Sequence, residues 1–98
     1  MRPHAQLTRE AEADLEEAFD YYQAQLPGLG HEFVATVEQQ LERIVENPAQ
    51  YQVLHRGVRR AVMRRFPYAA FYLSEGEAVV VLAIEHQARD PENWKQRL

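Results

Sequence analysis

GVRRAVMRRFPYAAFY, residues 57–72, is the stretch on which the fold turns. Val58, Val62, Phe71 and Tyr72 are strand-forming types, yet the arginine pairs Arg59-Arg60 and Arg64-Arg65 interrupt them. A strand sends successive side chains to opposite faces, so each pair delivers one guanidinium to either side of a sheet. In a chain of 98 residues such groups are not buried without partners. The spacing predicts strands over 58–65 and 68–74. Val58, Arg60, Val62 and Arg64 then share one face, and Arg59, Ala61, Met63 and Arg65 the other. The face centred on Ala61 and Met63 suits a covering layer of helices, which leaves Arg60 and Arg64 projecting from an open face.

Working outward, Ser74-Glu75-Gly76-Glu77 reads as a hairpin turn. The apolar run from Ala78 to Ile84 reads as a central strand covered on both sides. Alternation along it predicts Val80, Leu82, Ile84 and His86 on one face and Glu85 on the other. Asp90-Pro91 has the form of an N-cap followed by a first-turn proline, so a short helix carrying Trp94 and Leu98 on one side is expected. Towards the N-terminus, residues 3–7 read as a short strand and Thr8 as a helix N-cap. Leu15, Ala18, Phe19 and Tyr22 recur at helical spacing. Leu26-Pro27-Gly28-Leu29-Gly30 breaks that helix, and a second one is expected from about His31 to Asn47, burying Phe33, Val37, Leu41 and Ile44. The predicted architecture is α+β: a short N-terminal strand and an antiparallel two-helix hairpin packed on a small, mostly antiparallel sheet, with a short C-terminal helix. One domain is expected over 1–98.

Hydrophobic content of 46% and charged content of 27% are globular values. The absence of cysteine excludes a disulfide framework and thiolate zinc. His4, His31 and His55 fall in separate elements without ligand spacing, so no metal and no cofactor is expected. No run has signal-peptide or membrane-span character, which predicts a soluble, cytoplasmic protein without membrane contact. The net charge of −4 conceals a segregation: residues 10–46 hold ten acids against the lone Arg43, whereas residues 56–65 hold five arginines and no acid. Such a balance speaks against nucleic acid as the main partner. The arginine cluster fits instead the fork-shaped hydrogen bonding of carboxylates or phosphates, with Tyr68, Phe71 and Tyr72 beside it as stacking surface or core.

The order of these parts resembles the ParE-type toxins of the RelE/ParE superfamily, the toxic halves of type II toxin–antitoxin modules and plasmid-stabilisation systems. The resemblance runs from LTREAEADLEEAFDYY (7–22) through FVATVEQQLERIVENP (33–48) to VVVLAIEHQARDPENW (79–94). Its specific pieces are RRFPY, residues 64–68, and the ending H-x-x-R-D-P-x-x-W, made of His86, Arg89, Asp90, Pro91 and Trp94. Where related endings often carry two adjacent arginines, Ala88 precedes Arg89 here. The resemblance implies a toxin that poisons DNA gyrase by binding, without catalysis, and that a cognate antitoxin silences. Arg59, Arg60, Arg64, Arg65 and Tyr68 are then the expected antitoxin-binding residues, and operator DNA is left to the antitoxin. The alternative, drawn from the RelE branch, is ribosome-dependent mRNA cleavage with Arg64, Arg65 and His86 as its chemical groups.

Overall fold

The computed structural model describes residues 4–98. Pro3, the expected start of the first strand, lies outside the described residues. The chain runs β1 (His4–Leu7), α1 (Arg9–Gln25), α2 (Leu29–Glu46), a 3-10 turn (Pro48–Gln50), β2 (Gln52–His55), β3 (Val58–Val62), β4 (Tyr68–Glu75), β5 (Ala78–His86) and α3 (Glu92–Lys95). The five strands form one sheet in the order β1-β5-β4-β3-β2. β1 pairs parallel with β5, and the remaining pairs are antiparallel. Among the described residues, no helix is long and apolar enough to cross a membrane.

The two long helices cover one face of the sheet, the front. Thr8 caps α1 as expected, its hydroxyl accepting from the Ala11 N–H at 3.1 Å. Between the helices Gly28 adopts φ 94, a conformation that glycine enters without steric cost. The second helix starts at Leu29, two residues before the expected His31, because a side chain from the first helix caps it. The Gln23 amide oxygen accepts from the N–H groups of Gly28 and Gly30, each at 3.1 Å. Gly30 thus lies inside α2, where a Cβ would stand 2.7 Å from the Phe19 carbonyl oxygen. The helices cross here in near backbone contact. Gly30→Ala is expected to destabilise by about 1–3 kcal/mol through overpacking, despite a helix-propensity gain of about 1 kcal/mol. A urea midpoint equal to or above the wild-type value would show the crossing to be slack.

Phe33, Val37 and Ile44 of α2 meet Ala61, Met63, Tyr72, Val79, Val81 and Ile84 of the sheet and its margin to form the front core. Tyr72 is fully buried, and its hydroxyl donates to the Pro48 carbonyl, tying the 3-10 turn to the sheet. Burial pushes its pKa up to about 12. A smaller cluster of Val58, Ala69, Phe71, Leu82, Ala83 and Trp94 forms on the opposite, back face. The back is therefore partly covered by α3.

Three expectations for the strands are corrected. β2 is an additional edge strand, joined to β3 through Arg56 and Gly57 at φ 48 and φ 81. That geometry belongs to a tight two-residue hairpin, which usually draws Asn or Asp where this chain has Arg56. Next, β3 ends at Val62 instead of residue 65. Arg65 takes φ 72 and Pro67 has no N–H to donate, so residues 64–67 fold into a turn closed by Met63 N–H to the Tyr68 carbonyl at 2.9 Å. Last, strict alternation fails along β5. Tyr72 pairs with Val81 and Phe71 with Ala83, leaving Leu82 as a bulged residue. Leu82 and Ala83 consequently both join the back cluster, and Ile84 moves to the front.

Candidate partner-binding surface

The four arginines of the opening stretch divide by whether their own chain occupies them. Arg59, on the front side of β3, donates to the Tyr51 carbonyl at 2.6 Å and the Ala49 carbonyl at 3.2 Å. Arg65, in the turn after β3, pairs with Glu32 of α2 at 2.7 Å, and its guanidinium lies 5.2 Å from the Phe66 ring centre. Arg60 and Arg64 are exposed, and among the described residues neither guanidinium has an ion pair or hydrogen bond. Two of these four guanidiniums thus have no partner within the described chain. Arg60 keeps its place on the back of β3, while Arg64 leaves the strand with the turn.

Tyr68 does not join Arg60, because the first residue of β4 points to the front. It stands in a ring cluster with Tyr22, Phe33 and Phe66 under the helices, and its own ring centre is 5.3 Å from that of His86. Burial, followed by the charges of Tyr22 and Glu17, pushes the Tyr68 hydroxyl's pKa up. These rings border a groove of about 400 Å3 between α1 and the end of β5, which Glu17, Tyr21, Tyr68, His86 and Arg89 help to line. His86 Nδ1 accepts from the Ala88 N–H at 3.0 Å, which puts the ring proton on Nε2. Asp90 accepts from the Glu92 N–H at 3.0 Å, so its carboxylate caps α3 across Pro91, which itself stands just before the helix. Trp94 is buried and stacks on Phe71 with ring centres 5.0 Å apart and planes 18° from parallel. Among the described residues no group of three or more His, Cys, Asp or Glu side chains is arranged to hold a metal.

The feature that sequence reasoning missed lies at the open end of β5. Residues 78–81 are paired by β1, but beyond them the edge has no strand neighbour among the described residues. Side chains take the place of that strand, beginning with the Thr8 hydroxyl, which donates to the Leu82 carbonyl at 3.4 Å. The Asp14 carboxylate accepts from the Ile84 N–H at 3.0 Å, and Arg97 donates to the Leu82 carbonyl at 3.0 Å. Arg97 also grips Asp14 by both nitrogens, at 2.6 and 3.0 Å. This bond is the main influence holding Arg97 further in its charged form. Below them the buried Glu85 reaches Arg97 at 3.6 Å and Arg89 at 3.8 Å, and its Oε2 makes no hydrogen bond. Burial pushes its pKa up against the opposing pull of Arg97. A signal was present: Asp14 sits with Ala11 and Ala18 on the buried stripe of α1, and Glu85 continues an apolar strand. The arginine that answers them lies 83 residues from Asp14 and carried none.

This arrangement of elements matches known proteins. No curated protein sequence matches the chain significantly. Among solved structures, one described as the chromosomal ParDE toxin–antitoxin system from P. aeruginosa superposes with a TM-score of 0.76 at 25% identity, covering 87% of this chain and 96% of that one. The RelBE2 toxin–antitoxin complex from Mycobacterium tuberculosis superposes with a TM-score of 0.62 at 26% identity, covering 91% and 97%. A family model described as the ParE toxin of the type II toxin–antitoxin system parDE matches residues 5–91, a span that includes both long helices and all of β2 to β5. The chain belongs to the ParE toxin family of type II toxin–antitoxin systems.

Proposed function

We propose that this chain acts as a toxin by binding DNA gyrase without catalysing a reaction, and that a cognate antitoxin silences it. The match to the ParE toxin family over residues 5–91 carries this reading. The state of the candidate chemical groups supports it. Cleaving a phosphodiester calls for an acid, a base and a cation aimed at one phosphate. Here Arg65 is held by Glu32, and one ring nitrogen of His86 is taken by the Ala88 N–H. A net charge of −4 also provides little attraction for ribosomal RNA.

The antitoxin, as a folding-upon-binding partner, would offer carboxylates to Arg60 and Arg64, the arginines of the opening stretch that lack internal partners. Arg59 and Arg65, already engaged, would hold the scaffold in place. Gyrase as target puts the action in the cytoplasm, and loss of the antitoxin after loss of the encoding plasmid would account for plasmid stabilisation. The test uses antitoxin-free protein in a gyrase supercoiling assay beside ribosome-dependent cleavage of a defined message. Inhibited supercoiling with accumulation of linear DNA is expected. Cleaved message with gyrase left fully active would replace this reading with that of a ribonuclease.

A further inference from the structure

On the back of the sheet, α3 and β3 enclose a pocket of about 110 Å3. Leu54, Phe71 and Trp94 form its apolar lining, Glu85 closes one side, and Arg60 and Arg89 stand at its rim. A cavity this small lies below the roughly 300–1,000 Å3 typical of cofactor and drug-sized ligands, and suits a single side chain. Its aromatic lining is fixed, since Trp94 is stacked on Phe71.

The rim charges select the occupant. Arg60 has no partner among the described residues. Arg89 is 45% exposed and touches Glu85 only at 3.8 Å, beyond hydrogen-bond length, so its guanidinium donors remain free. Among the described residues the one acid in the lining is Glu85, which Arg97 also faces at 3.6 Å. Two guanidinium forks around an apolar hole are complementary to an apolar side chain flanked by carboxylates.

We propose that this back-face pocket receives one apolar side chain of an acidic partner peptide, whose neighbouring carboxylates pair with Arg60 and Arg89. The proposal rests on the reading that an antitoxin binds this chain, and adds a docking point on the face opposite the long helices.

Trp94 is the only tryptophan and walls the pocket, so its fluorescence reports occupancy directly. The probe is a capped hexapeptide of alternating Leu and Glu, compared with its Leu-Lys counterpart and with a single-stranded oligonucleotide. A saturable emission change is expected with the Leu-Glu peptide, weakening as salt rises. Arg60→Gln or Arg89→Gln should each reduce affinity roughly ten- to hundredfold, the loss of one charge-assisted pair. Arg9→Gln, an exposed arginine on α1 outside the pocket, should leave it unchanged, and circular dichroism confirms that each variant is folded. No saturable change, an equal response to the Lys peptide or the oligonucleotide, or indifference to the arginine substitutions would overturn the proposal. Gyrase inhibition by the free chain is scored separately. Lost peptide binding with retained inhibition removes only the pocket, whereas retained binding without inhibition removes the gyrase target.

Discussion

Asp14→Ala is expected to lower the unfolding free energy by about 3–5 kcal/mol, the cost of stripping the partner from a buried charge. Total stabilities run to only about 5–15 kcal/mol, so the loss should be visible as a large fall in the urea midpoint with little change in slope. The size follows from what one carboxylate does here. It accepts the Ile84 N–H, which β1 is too short to satisfy, and it neutralises Arg97 by a two-point bond. Removing it orphans a backbone donor and leaves a guanidinium only 19% exposed. Asp14→Asn should cost less, because the amide oxygen still accepts from Ile84 while the charge is lost. The double variant Asp14→Leu/Arg97→Met should recover only part of the deficit, since it removes the stranded guanidinium but takes Arg97 from the buried Glu85 and leaves the Ile84 N–H unbonded. An Asp14→Ala protein melting at the wild-type midpoint would show that the clasp contributes nothing.

Trp94→Ala has a comparable expected effect, about 3–5 kcal/mol, as for other large aromatic side chains removed from a core. Trp94 is 3% exposed and forms the contact by which α3 reaches the back cluster. A helix of four residues has no stability of its own, so α3 depends on that ring for its place. Arg97 follows three residues later and hooks round to α1 on the front. The C-terminal segment therefore grips both faces of the sheet. Losing the tryptophan should loosen both grips, accelerating amide exchange at Gln96 and Arg97 and, across the sheet edge, at Ile84. Unaltered exchange at Ile84 would mean that the front clasp holds without the back anchor.

Both residues show how differently parts of the fold can be read. Trp94 stood out because Asp90-Pro91 announces a helix and a large ring must be covered. Asp14 did not stand out, because its place on the apolar stripe of α1 is a faint mark among the many acids of that helix, and its partner Arg97 is far along the chain. The arginine cluster fell between these cases. Its position was plain, but the directions of its members depended on a strand taken to run to residue 65. The positive φ of Arg65 and the turn at Pro67 ended that strand early, so the Arg64-Arg65 pair went into the turn while Arg59-Arg60 stayed on β3.

Capping, chain breaks, the apolar run of β5 and the order of elements were determined by the sequence itself. They arise from torsional limits and hydrogen bonds spanning a few residues, so a short window contains both cause and effect. Together with RRFPY and the H-x-x-R-D-P-x-x-W ending they were enough to point to the ParE toxin family. Only the tertiary structure decided which charges are spent inside the molecule and which remain for a partner. Glu32 claims Arg65, backbone carbonyls claim Arg59, and Asp14 claims Arg97, while Arg60 and Arg64 are left open. The reason is physical: an ion pair forms between whichever groups the packed chain brings within a few ångströms, and separation along the sequence has no part in that distance.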